Sequence, residues 1–107
     1  MANLNYPENI EEIKKFAEDH GIDVKYLLGE KWEGDLDMYS VKSLPENIVF
    51  NVGGFLDLRS VKSLPENIVF DVSGSMWLSS VKSLSSNTIF NVNGNIYFPN
   101  HKVKVIW

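Results

Sequence analysis

The chain has 107 residues, 44% of them hydrophobic and 22% charged, with a formal net charge of −4 and no cysteine. That length accommodates a single domain in globular rather than disordered proportions, and the missing cysteine excludes disulfides, thiolate nucleophiles and cysteine-bound metal. The acidic balance sets nucleic acid aside as a main partner, and no apolar run is long enough to make a membrane one. Met1 to Asn5 lack the basic and apolar regions of a signal peptide, so the expected location is the cytoplasm.

In chain order, residues 1–33 read as an N-terminal cap. Pro7 suits a first helical position, Glu8, Glu11 and Glu12 load the first turn with negative charge, and Ile10, Ile13, Phe16 and Ala17 form one apolar stripe. His20-Gly21 is a helix stop, and Ile22 to Leu28 reads as a lead-in strand or an irregular first coil.

From Gly34 onward the sequence repeats. Ser40 to Phe50 returns letter for letter as Ser60 to Phe70, a looser copy runs from Ser80 to Phe90, and Gly34, Gly54, Gly74 and Gly94 keep the same period of 20. The coils are 34–53, 54–73 and 74–93, with a partial fourth over 94–107. Within each coil Ile48, Phe50 and Val52, or their equivalents, alternate with outward residues, and Leu56 and Leu58 do the same after the glycine turn. Period two means strand. Val41 and Leu44, with their copies, add two further apolar columns. One such unit cannot bury its apolar face alone, but stacked copies can, with equivalent strands about 4.8 Å apart. The fold class is therefore mainly β: a short β-solenoid of 20 residues per coil, two short strands in each, with an N-terminal α-helical cap. Gly53-Gly54, Ser73-Gly74 and Asn93-Gly94 predict one corner with positive φ; Pro45-Glu46-Asn47 marks the other, where Asn47, Asn67 and Asn87 predict a side-chain ladder. His101 to Val105 alternates again, with lysines suited to guarding an edge.

Pentapeptide and hexapeptide solenoid codes do not fit this period. Leu44-Pro45-Glu46-Asn47-Ile48 followed by Val52-Gly53-Gly54-Phe55-Leu56-Asp57-Leu58 resembles the leucine-rich-repeat-like repeats of small bacteriophage and prophage proteins, which read roughly L-P-x-x-L-x-V-G-G-x-L-x-L. The likeness covers about residues 34–98 and weakens in the later copies, where Leu84-Ser85 has lost the proline. It brings no catalytic residues. It implies a mobile-element protein whose partner is a host protein, with inhibition of a host defence factor as the expected consequence.

The chemistry-bearing residues point the same way. The histidines, His20 and His101, have no spaced partner for a triad or a metal site. Asp37 and Asp57 predict stacked neighbours, read as solvated carboxylates relieved by Arg59 rather than as a calcium site or a hydrolase pair. The column Lys42, Lys62, Lys82 reads as a solvated corner. No cofactor or metal is expected, and the role is read as non-enzymatic. The outward positions of the second strand are the candidate surface. Tyr39, Phe55, Asp57, Arg59, Trp77 and Tyr97 face solvent if Leu56 and Leu58 face inward, and aromatics with an arginine match the composition of interface hot spots. The expected partner is a host protein or another copy of the chain. The alternatives are a self-assembling structural solenoid and, further off, a β-helical enzyme acting on polysaccharide. Charge is graded along the axis: residues 1–33 hold eight carboxylates against four lysines, and residues 94–107 hold two lysines and no carboxylate.

Overall fold

The computed structural model describes residues 7–85, 87–98 and 104–106. The chain is a parallel β-solenoid of about three turns with one short N-terminal helix. Strands β1 (Leu28–Trp32), β3 (Val49–Val52), β5 (Val69–Val72) and β8 (Ile89–Val92) stack in that order into one sheet. Strands β2 (Leu36–Asp37), β4 (Leu56–Asp57), β6 (Met76–Trp77) and β9 (Ile96–Tyr97) form the second. The sequence predicts two strands per coil; the structure adds a third side. There β7 (Ser83–Ser85) pairs with β10 (Lys104–Ile106), and Ser63 bridges to Ser83. The C-terminal strand therefore lies on the third side, outside both main sheets. His101 to Val103 fall outside the described residues.

The period of 20 becomes register directly. Val49 pairs with Val69 and Val69 with Ile89, while Leu56 pairs with Met76 and Met76 with Ile96. Identical side chains therefore stack on themselves. Phe50, Phe70 and Phe90 form a column with ring centroids 5.6 and 5.4 Å apart and nearly parallel planes. Phe50, Phe70, Ile48, Ile68, Leu56, Leu58, Met76 and Leu78 are fully buried, and Val41, Leu44 and their copies close the core as expected.

The corners work differently from the sequence expectation. Gly53, Gly54, Gly74 and Gly94 do not adopt positive φ; Asn47 and Asn67 do, at +63° and +61°. In the column Gly34 alone takes a positive φ, +83°, while Gly54, Gly74 and Gly94 are required by close approach instead. A Cβ on Gly74 would lie 2.8 Å from the Gly54 carbonyl oxygen, and one on Gly94 2.7 Å from that of Gly74. The same approach lets Gly74 N–H donate to Gly54 and Gly94 N–H to Gly74, each at 3.0 Å. At the asparagine corner the left-handed conformation explains the residue type, since asparagine tolerates it better than other non-glycine residues.

Helix α1 (Ile10–Asp19) begins three residues after Pro7, whose carbonyl accepts from Ile10 N–H. It buries Ile13 and Ala17, with Phe16 packed beside them, and ends at His20 with Gly21 at φ +70°. A single 3-10 turn, Val24–Leu27, then leads into β1 and sets Leu27 in the core. Asn9, at the helix N-cap position, makes no side-chain capping bond. Its amide donates to the Glu46 carbonyl at 3.0 Å, and its side-chain oxygen accepts from Asn47 Nδ2 at 3.0 Å. Asn9 thus stands where the asparagine of a preceding coil would stand. Further up, Asn87 Nδ2 donates to Asn67 Oδ1 at 2.9 Å, so the ladder is made of pairs, with Asn47 N–H donating to the Glu66 carbonyl between them.

Candidate functional site: the aromatic face of the second sheet

Leu36, Leu56 and Met76 point into the core, so the flanking residues of β2, β4, β6 and β9 point away from it. One outward column runs Asp37, Asp57, Trp77, Tyr97. It changes from carboxylate to aromatic halfway up the stack. The Trp77 and Tyr97 rings stack 5.3 Å apart with planes 18° from parallel. Phe55, in the neighbouring column, meets Trp77 edge-on at 5.4 Å. These three rings form one continuous cluster. Tyr39, Phe55 and Tyr97 are 56%, 45% and 43% exposed, and Trp77, held between its two neighbours, is half-buried. Tyr39 lies three coils below Tyr97, beside Asp37, whose carboxylate accepts from Tyr39 N–H at 3.2 Å.

Asp57 departs from the sequence reading. It is not a solvated carboxylate: only 9% of the residue is exposed. Arg59 covers it, donating from Nε to both carboxylate oxygens at 3.1 Å and from Nη2, while Arg59 N–H bonds Oδ1 at 3.2 Å. These bonds from Arg59 hold the Asp57 carboxyl below its usual pKa, against the opposing effect of burial. Arg59 remains open on its other side. Asp35 Oδ1 accepts Phe55 N–H from the next coil at 2.8 Å, and Ser75 Oγ accepts Asn95 N–H at 3.0 Å, so short polar side chains fasten this face from coil to coil. A shallow hollow of about 190 Å³ opens among Asp35, Asp37, Phe55, Asp57, Arg59 and Trp77. The structure thus gathers Phe55, Asp57, Arg59, Trp77 and Tyr97 on one sheet face, with Tyr39 toward its lower edge.

Sequence reasoning missed a second concavity of about 240 Å³ between helix α1 and the solenoid corner, lined by Glu12, Lys15, Phe16, Asp19 and Leu44 among others. No repeat column announces it, because it exists only where α1 docks. His20 is engaged with its own helix, Nδ1 lying 2.8 Å from the Phe16 carbonyl oxygen. Lys42, Lys62 and Lys82 are exposed along their corner. Among the described residues no three His, Cys, Asp or Glu side chains meet in a way that would hold a metal ion, and no helix is long and apolar enough to cross a membrane.

Comparison with family models, with curated proteins and with solved structures returns no match for this chain. The class of the protein rests on its own geometry: a short parallel β-solenoid, compatible with a binding or a structural module.

Proposed function

We propose that this protein is a non-enzymatic binding module that recognises another protein through the aromatic face of its second sheet. The observation that carries this reading is the cluster of Phe55, Trp77 and Tyr97 on the outside of a rigid, fully stacked sheet. Large aromatics held in fixed positions supply contact area with little entropy left to lose, and an arginine already oriented by a carboxylate adds a directional donor. The core does not need these side chains, since Leu56, Leu58, Met76 and Leu78 fill it from the same strands. The resemblance of the repeats to those of small phage proteins supports a finer reading. The partner is a protein of a bacterial host, bound in the host cytoplasm, and its occupation inhibits a defence factor.

The test compares captures from bacterial lysate by the wild-type chain and by Tyr97→Ala and Phe55→Ala variants, followed by titration with the partner that only the wild type retains. Each substitution is expected to weaken binding by at least about 2 kcal/mol while leaving the fold intact. A partner held equally well by Phe55→Ala, Trp77→Ala and Tyr97→Ala would place the interface elsewhere and overturn the reading.

A further inference from the structure

The aromatic face of the second sheet is not uniform in charge. In its hollow of about 190 Å³ the Phe55 and Trp77 rings stand among three carboxylates, Asp35, Asp37 and Asp57, and one guanidinium, Arg59. Arg59 is committed to Asp57, donating to both carboxylate oxygens from Nε and to Oδ2 from Nη2. It also lies near enough to Asp37 to feel its charge, but its ion pair is with Asp57. That pair cancels itself, so the charge left in the hollow is that of Asp35 and Asp37, both of them exposed.

Both of these carboxylates are held in place by backbone. Asp35 Oδ1 accepts Phe55 N–H at 2.8 Å, and Asp37 Oδ1 accepts Tyr39 N–H at 3.2 Å. One oxygen of each group is used in this way, and among the described residues nothing bonds the other. No Lys or Arg of the described residues lies within ion-pair distance of Asp35 or Asp37. Register places the rings directly above them: Asp35 is one coil below Phe55, and Asp37 is two coils below Trp77. An aromatic ring attracts a cation over its face and takes methylenes against it. Fixed carboxylates beside such rings favour the same occupant and repel an anionic one. The surroundings agree, since residues 1–37 hold ten carboxylates against four lysines, a field that draws basic chains toward this end of the stack.

We infer that the partner presents a basic segment to this face, and that one lysine or arginine of it enters the hollow, with its methylenes across the Phe55 and Trp77 rings and its charged end between Asp35 and Asp37. This rests on the reading of the aromatic face as the interface, and it adds what chemistry the partner brings. The rings supply contact area for many partners; the two carboxylates select among them, because an acidic or neutral side chain in the same place leaves their charge unanswered.

Titration of the full chain with Nα-acetyl-lysine amide and Nα-acetyl-arginine amide tests this, read by the NMR signals of the Phe55 amide and the Trp77 indole. Nα-acetyl-norleucine amide is the uncharged probe and Nα-acetyl-glutamate amide the anionic one. The cationic probes are expected to bind at least about tenfold more tightly than either, and less tightly as salt is raised. The double variant Asp35→Asn/Asp37→Asn keeps both Oδ1 acceptors, so its circular dichroism spectrum is expected to be unchanged. It is expected to weaken the cationic probes, and the partner captured by the wild-type chain, at least about fivefold. Norleucine binding as well as lysine, or a double variant that holds the lysine probe or the partner as the wild type does, would overturn the inference. Tyr97→Ala lies outside the hollow and is expected to leave probe binding unchanged while it weakens the partner. Loss of the partner on Tyr97→Ala without any preference for cationic probes would therefore overturn this inference alone, and a partner indifferent to Tyr97→Ala would overturn the interface on which it rests.

Discussion

The first and last coils carry nearly the same residues yet bury them to different degrees. Ile48, Phe50 and Val52 have β1 and the 3-10 turn on one side and the second coil on the other, and they lie at 0–1% exposure. Thr88, Phe90 and Val92 occupy the same columns, with a coil below and no further strand above among the described residues, and remain half-buried. Burial in a solenoid therefore belongs to the neighbour as much as to the residue. The N-terminal cap shows how an end is completed: a helix covers the apolar layer, and Asn9 continues the asparagine ladder by bonding Asn47 and the Glu46 carbonyl.

The largest expected effect tests that difference directly. Phe70 is stacked on both faces by Phe50 and Phe90, so Phe70→Ala is expected to cost about 3–5 kcal/mol and to unfold so short an array near physiological temperature. Phe90 is stacked on one face and half-buried, so Phe90→Ala is expected to cost about half as much, in roughly the 1.5–2.5 kcal/mol range. Urea unfolding of the two variants makes the comparison. Equal losses would mean that the last coil is as well covered as the middle one.

The glycine column gives a second, smaller contrast. A methyl group at residue 74 presses on the Gly54 backbone and on the Phe55 ring, with another coil above that resists any shift. Gly74→Ala is expected to cost about 2–3 kcal/mol by overpacking. Gly94→Ala makes a similar clash with Gly74, but no further coil is stacked on the last one among the described residues, and about 1 kcal/mol is expected. Thermal melts of the two variants decide it, and a larger loss at Gly94 would contradict a yielding end.

How much of this was legible in the sequence follows from what repetition records. An exact repeat states which residues stack, so the columns Phe50-Phe70-Phe90 and Leu56-Met76-Ile96, and the outward direction of Phe55 and Tyr97, were readable without coordinates. The reason for each glycine was not readable. Gly-Gly at a corner looks the same whether it supplies positive φ or close backbone approach, and the structure gives the first role to Asn47 and Asn67 and the second to Gly54 and Gly74. The third side was hidden because Ser63 and Ser83 to Ser85 carry too weak an alternation to read as strand. The covering of Asp57 was hidden because it depends on how one arginine side chain folds back over its own strand, a choice that spacing does not record.

That carboxylate supplies the smallest effect and refines the comparison along the stack. Asp37 and Asp57 sit in register and each accepts the backbone N–H two residues on, but only Asp57 is covered. Its folded pKa is lowered, chiefly by the side-chain hydrogen bonds from Arg59. Between the folded pKa and the unfolded value of about 3.9, the unfolded chain binds more protons, so stability rises with pH through that window. The contribution is complete above the unfolded value and is lost as pH falls through the folded one. Arg59→Ala removes those hydrogen bonds and leaves the carboxylate covered by the protein without its partner. At pH 7 it is expected to lower Tm by a few degrees, modest because the guanidinium side chain is 59% exposed and screened by solvent. As pH falls through the lowered folded pKa of Asp57, the two melting curves are expected to converge. A gap that stays constant from pH 7 to pH 2 would show that Arg59 acts through the packing of its methylenes on the face, and that the ion pair contributes nothing to the stack.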